Sequence, residues 1–210
     1  MIRIGKDFHI DLGACVGYAP SRHVPDLLLV IGDNARVRSG TVIYAGSRIG
    51  HHLETGHNAI VREENVLGDD VRIWNGSVID YGCIIGNRVK IHSHVYVAQF
   101  TVIEDDVFLA PGVTITNDPH PGCAYSPECM RGPVIKQGVQ VGAGSVLLPH
   151  IVIGEYSVIG AGSVVTREVP PYSVVTGNPA RLRGTIHQVT CKRGLTVRPY
   201  SLAALGPEAP

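Results

Sequence analysis

Ile31-Gly-Asp-Asn-Ala-Arg-Val37-Arg-Ser-Gly-Thr-Val-Ile43-Tyr-Ala-Gly-Ser-Arg-Ile49-Gly50 carries an aliphatic residue at every sixth position. The count continues through Thr55, Val61, Leu67, Ile73, Ile79, Ile85, Ile91, Val97, Ile103, Leu109 and Ile115. Only Thr55 breaks it among these fifteen positions, where chance would place about five aliphatics. The phase resumes at Ile135 and runs through Val141, Leu147, Ile153, Ile159 and Val165. It also exists upstream as Ile4, Ile10 and Val16. Four residues after the aliphatic position stands a small or β-branched residue, as in Ala35, Thr41, Ser47, Ala59, Ser77, Cys83, Ser145, Ser157 and Ser163. Glycine often follows the aliphatic residue directly, as at Gly32, Gly50, Gly68 and Gly86.

A period of six fits neither the 3.6 of a helix nor the 2 of an alternating strand. It fits a solenoid of short strands and glycine-rich corners, with one large and one small inward residue per hexad. Each coil then pairs only with its neighbours, so stability accumulates along the stack. Composition agrees. Of 210 residues 25 are Gly, and Val plus Ile number 47 against 13 Leu. β-Branched residues favour pleated structure over helix, so the expectation is an all-β chain.

Charge and composition exclude other classes. Lys plus Arg and Asp plus Glu are 18 each. A balanced chain has no field to steer it toward a nucleic acid or an anionic membrane. No apolar run approaches the ~20 residues of a membrane span. The N-terminus lacks the basic and apolar regions of a signal peptide, so a cytoplasmic protein is expected. The cysteines, Cys15, Cys83, Cys123, Cys129 and Cys191, are odd in number and form no CxxC pair, which predicts free thiols.

Two segments interrupt the repeat, 18–28 and 117–133, and a long loop on a rigid scaffold is more often functional than accidental. The reading divides the chain into a repeat domain over 1–184 and a C-terminal tail over 185–210, whose last ten residues are expected to be disordered.

The repeat resembles the left-handed parallel β-helix of the hexapeptide-repeat acyltransferases, in which three hexads make one triangular coil. The resemblance covers residues 4–184 and implies about five coils in 31–116, two in 134–170 and one before them. Gly160-Ala-Gly-Ser-Val-Val-Thr-Arg167, Val169-Pro-Pro and Gly177-Asn-Pro-Ala-Arg181 resemble the coenzyme A end of these enzymes. Small corner residues let a pantetheine arm approach the backbone, and arginines meet phosphates with forked hydrogen bonds. By resemblance, Ala143, Ala161, Thr166, Arg167, Arg181 and Arg183 line the CoA groove. The last block is assigned to cofactor binding because no corner of the repeat needs it.

Histidine is the natural base for acyl transfer near neutral pH. His94, in Ile91-His-Ser-His94, shares an 18-residue column with Asn58, Gly76 and Gly112, and the flanking glycines leave it room to project. Its place resembles one held in nucleotide-sugar N-acetyltransferases by a polar residue that meets the substrate amine. His120, in Thr116-Asn-Asp-Pro-His-Pro121, resembles the catalytic His-Pro of sugar O-acetyltransferases. The same frame resembles sugar N-acetyltransferases, which makes Asn117 and Asp118 candidates for holding sugar hydroxyls; turn formation before Pro119 is the bland alternative. His57 reads as structural, His51 and His52 as groove residues, and His92 as stacking along the coil face.

The implied activity is acetyl transfer from acetyl-CoA to the amino group of a nucleotide-linked sugar, by direct attack with a histidine base and no metal. The implied assembly is a homotrimer with sites between prisms, supported by outward Val42, Tyr96 and Val152. O-Acetylation of a sugar, antibiotic or serine hydroxyl is the alternative. A γ-carbonic-anhydrase-like zinc protein is less favoured, because His52 and His57 have the right step but no single histidine lies upstream at the right coil spacing.

Overall fold

The computed structural model describes residues 1–200. The expected disorder at the end of the tail, over the last ten residues, lies outside the described residues.

Nearly every hexad forms a strand of two or three residues followed by a corner. Within the repeat successive strands do not pair with each other. Each pairs in parallel with the third strand before and after it, 18 residues away except across the two loops, as Leu67 pairs with both Ile49 and Ile85. The result is a three-sided prism. Face A runs from Ile2–Ile4 to Val152–Ile153 and face C from Cys15–Tyr18 to Val164–Val165, with eight strands each. Face B begins at His9–Ile10 and has ten strands. Eight coils match the five, two and one expected. The chain is an all-β, left-handed parallel β-helix.

Burial explains the period. The aliphatic residue ends each strand and points into the prism, and from Ile31 to Val165 every such position is buried, Thr55 included. The small residue four places on is also buried. Where that residue carries a hydroxyl, it bonds a corner carbonyl, of the next coil as in Ser47 Oγ to Arg62 O at 2.8 Å and Ser77 Oγ to His92 O at 2.6 Å, or of its own corner as in Thr101 Oγ1 to Ala98 O at 2.6 Å. A dry core therefore holds its polar atoms satisfied. The glycine after the aliphatic residue answers to a close approach. A Cβ on Gly50 would lie 2.3 Å from Asp69 Oδ1, which accepts the N–H of His51 at 2.7 Å. An Asp or Asn one coil on thus caps the corner beneath it, and only glycine leaves it room.

Three sequence expectations need correction. Ile4 and Ile10 are in phase yet exposed at 43% and 48%, because no coil lies beneath the first one. Gly177–Ala180 does serve a turn: it reverses the chain between Ser173–Thr176 and Arg181–Thr185, which pair antiparallel. The folded body also passes residue 184. Ile186 is fully buried, and its N–H donates to Tyr172 O at 2.9 Å. The free-thiol expectation holds, since none of the five cysteines is bonded to another. No described helix is long and apolar enough to cross a membrane.

The three faces differ outward. Face C presents Val42, Ile60, Val78, Tyr96, Thr114, Val146 and Val164 in one register. Face A presents Val66, Ile84, Val102, Val134 and Val152 above Arg48. Face B presents Arg36, Glu54, Arg72 and Lys90. Two faces are largely apolar, and the third is charged up to Lys90 and continues with Phe108, Gln140 and Val158.

Candidate functional site

The B–C edge is built from corners 38–40, 56–58, 74–76, 92–94, 110–112, 142–144 and 160–162. Its third position takes the left-handed conformation throughout: φ is +73° at Gly40, +65° at Gly76, +71° at Gly112, +66° at Gly144 and +68° at Gly162. Only Asn58 (+56°) and His94 (+59°) depart from glycine in these corners. That conformation costs a non-glycine residue about 1 kcal/mol, and Asn and His tolerate it better than most. The His94 side chain is exposed, with its ring resting on Gly76, where a Cβ would come within 2.8 Å of Nδ1. Gly76 is thus what leaves the imidazole its place.

Above His94 the edge carries almost no side chain. A Cβ at Gly144 or Gly162 would meet nothing within 4 Å. Ala143 and Ala161 are exposed beside them. From corner 92–94 to corner 160–162 is three coils, about 14 Å at the ~4.8 Å spacing of paired strands. A narrow chain lying there would reach backbone amides without obstruction.

The C–A edge carries a buried charge network that the sequence reading missed. Arg62 donates to Glu63 at 2.9 Å and to Asp80 at 3.2 Å. Asp80 also accepts from the Tyr96 hydroxyl at 2.7 Å and from Gln99 Nε2 at 2.6 Å. Gln99 Oε1 in turn accepts from Asn117 Nδ2 at 2.7 Å. Arg22, from the 18–28 loop, donates to Glu63 and Glu64 and lies 4.1 Å above the Tyr81 ring. The run Arg62-Glu63-Glu64, three charged residues filling one corner, was the available signal. Tyr96, expected as a plain apolar residue of face C, gives its hydroxyl to this network.

Burial opposes ionisation of Glu63, but hydrogen bonds from Arg62 and Arg22 outweigh it and hold the carboxyl below its ordinary range. A carboxyl lowered by folding contributes its full stability above the unfolded value, ~4.3, and loses it as pH falls through the lower folded value. The 18–28 loop is therefore expected to resist limited proteolysis at neutral pH and to open below pH ~4. Cleavage already present at pH 6 would show that Glu63 does not hold it.

Asn117 and Asp118 are both engaged within the chain. Asn117 is buried, and Asp118 accepts from the His120 N–H at 2.9 Å and from the Ser126 hydroxyl. The Ser126 and His120 bonds hold the Asp118 carboxyl below its ordinary range. The two residues shape the 117–133 loop, with the short helix Ser126–Cys129, and leave His120 exposed upon it. Within one chain His94 and this loop stand at opposite edges of face C.

The expected CoA residues fall into two groups. Ala143 and Ala161 line the B–C edge. Thr166, Arg167 and Arg181 share a pocket of about 230 Å³ at the C-terminal end of the prism. Arg183 donates to Thr176 Oγ1 at 3.0 Å nearby. Among the other histidines, His92 stacks on Trp74 with ring centroids 5.0 Å apart, as expected of a stacking residue. His52 meets Asp70 on the A–B edge, whereas His57 meets Ser39 on the B–C edge. Among the described residues no three His, Cys, Asp or Glu side chains are grouped as a metal site.

Residues 66–99, 82–117 and 132–167 match the bacterial transferase hexapeptide family, described as six repeats. Over 66 residues the chain is 47% identical to the dTDP-3-amino-3,6-dideoxy-alpha-D-galactopyranose 3-N-acetyltransferase of Aneurinibacillus thermoaerophilus, covering 31% of this chain and 34% of that one. Over 54 residues it is 48% identical to the serine acetyltransferase of Escherichia coli strain K12, covering 26% and 20%. The aligned region thus spans about a third or less of these relatives' own length. The fold is similar to LpxA, a UDP-N-acetylglucosamine acyltransferase from Bacteroides fragilis 9343, with TM-score 0.69 and 21% identity over 87% of this chain and 70% of that one.

Proposed function

We propose that this chain, a carrier of the bacterial transferase hexapeptide repeat, moves an acetyl group from acetyl-CoA to the amine of an amino sugar. One observation carries the reading: an edge of three coils bearing only alanine and proline side chains ends at a histidine held in a conformation that its neighbours leave to glycine. The edge suits a pantetheine arm between Ala143 and Ala161. Thr166, Arg167, Arg181 and Arg183, at the end of the prism, suit its phosphates. The partial match to a dTDP-amino-sugar N-acetyltransferase favours an amine acceptor carried on a nucleotide.

In this reading His94 removes the proton from the acceptor amine. The nitrogen forms a bond to the thioester carbonyl carbon, the carbon–sulfur bond breaks, and the thiolate of CoA leaves. No acyl-enzyme is needed, because an amine is already a good nucleophile once deprotonated. His120 and the loop set by Asn117 and Asp118 approach the acceptor from a second copy. Packing three C faces around an axis places one chain's B–C edge beside the next chain's C–A edge, and buries the apolar outward column. A homotrimer completes the site in this way.

Turnover of amino sugars against hydroxy sugars with acetyl-CoA tests the reading. Acetylation of an alcohol and of no amine would overturn it in favour of O-acetyl transfer. Gly144→Leu tests the groove. The side chain enters open space, so only the left-handed backbone conformation costs stability, about 1 kcal/mol. KM for acetyl-CoA is expected to rise by about tenfold or more, and an unchanged KM would remove the groove from the cofactor path.

A further inference from the structure

We infer that the pocket beneath Trp74 is a nucleobase slot, and that its ligand is a nucleoside diphosphate. The pocket, about 210 Å³, opens at the junction of face B and the B–C edge on the N-terminal side of His94. Its walls come from three successive coils, and the first corner position in each decides its shape. Reading upward, that position holds Arg38, Gly56, Trp74 and His92. His92 covers one face of the indole, near parallel at 13°. Below the indole stands Gly56, which has no side chain to fill the space. A Cβ there would lie 2.3 Å from Asn75 Oδ1, so the gap is enforced by the corner itself.

Arg38 forms the floor two coils down, about 9.6 Å at the ~4.8 Å spacing of strands. One planar ring needs about 3.5 Å on each side, or ~7 Å in all. The coil spacing therefore leaves room for one aromatic ring against the free face of the indole, with Arg38 lining the space below it. His57 and Asn75 stand at the rim to meet the edge of a base. Arg72 lines this pocket and also the adjoining one of about 350 Å³, where Lys90 follows, beside Asp70 and an Arg88 already bonded to Asp106 at 2.7 Å. Arg72 lies 3.4 Å from Glu54 and Arg38 lies 3.6 Å from Asp11, at exposed positions where a phosphate competes well with a carboxylate.

Two ligands carry this chemistry, the nucleotide of an acceptor and the adenosine phosphate of CoA. The slot lies N-terminal to His94, whereas the open glycine edge lies C-terminal to it. The slot is accordingly assigned to the acceptor, and this choice alone rests on the function proposed above. An amine at His94 would then stand two coils above the ring, about 9.6 Å at the ~4.8 Å spacing of strands.

The chain has a single tryptophan, so its fluorescence reads this pocket directly. Titration of the full chain with dTDP or UDP is expected to quench it saturably, and saturating CoA is expected to leave that binding intact. Trp74→Leu, checked for an unchanged melting temperature, should weaken dTDP binding by about tenfold in calorimetry, and Trp74→Phe by less. No saturable quenching by millimolar nucleotide would overturn the slot. Quenching by CoA that competes with dTDP would overturn its assignment to the acceptor. Acetyl transfer to amino sugars with a silent tryptophan would sink the slot alone. Nucleotide binding without transfer to any amine would sink the proposed activity alone.

Discussion

Replacing His94 by asparagine is expected to lower kcat for amine acetylation by about a hundredfold, with little change in melting temperature. Asparagine is the informative choice. It tolerates the left-handed conformation, as Asn58 does in the same column at φ +56°, so the corner survives and only the base is lost. General-base catalysis by a positioned side chain contributes about 10²–10⁴ in rate, and an amine acceptor sits at the lower end because it needs least help. KM for acetyl-CoA should stay nearly constant, because the groove above is untouched. His120→Asn is expected to cost less than about threefold, as a loop residue outside the open edge. A hundredfold loss in His120→Asn with none in His94→Asn would move the base to the loop. Full kcat in both variants would remove histidine from the chemistry altogether.

The second large effect falls on stability. Glu63→Ala is expected to destabilise the chain by about 3 kcal/mol, measured by urea unfolding, because it leaves two arginines without their shared carboxylate. The Glu63 side chain has no solvent exposure, while Arg62 and Arg22 are 28% and 32% exposed. The arginines can therefore recover some hydration, which keeps the loss at the lower end for a broken buried pair. The same variant should free the 18–28 loop, and proteolysis should cut within it at neutral pH. A loss under about 0.5 kcal/mol would mean that the network behaves as a surface ion pair. Glu63→Gln keeps the shape and some hydrogen bonds, so it should fall between the two.

The repeat made the core legible residue by residue. A side chain six places on from a buried one has turned a corner and points inward again, so Ile31, Val37 and Ile43 declared themselves without any contact being known. The failures came where periodicity is not the deciding force. Ile4 and Ile10 obey the phase but lack a coil beneath them, and burial needs a neighbour as well as a direction. Gly177-Asn-Pro-Ala-Arg181 read as a block that no corner needs, but the chain uses it to reverse direction. Trp74 drew no attention in sequence, because its slot exists only when Gly56 and Arg38 stack under it at 18-residue intervals.

The resemblance implied three hexads to a coil; by itself, then, the sequence determined a six-residue solenoid, its buried columns and the points where loops leave it. Those follow from a local pattern repeated at fixed spacing, which is the one long-range relation that a chain states outright. Tertiary structure decided the rest. It joined Arg22 to Glu63 across 41 residues, tied Asn117 through Gln99 to Asp80, and set Asn117 and His94 at opposite edges of one face. Such pairings depend on how a loop folds back and on which corner a side chain leaves. No period records them, because each occurs once.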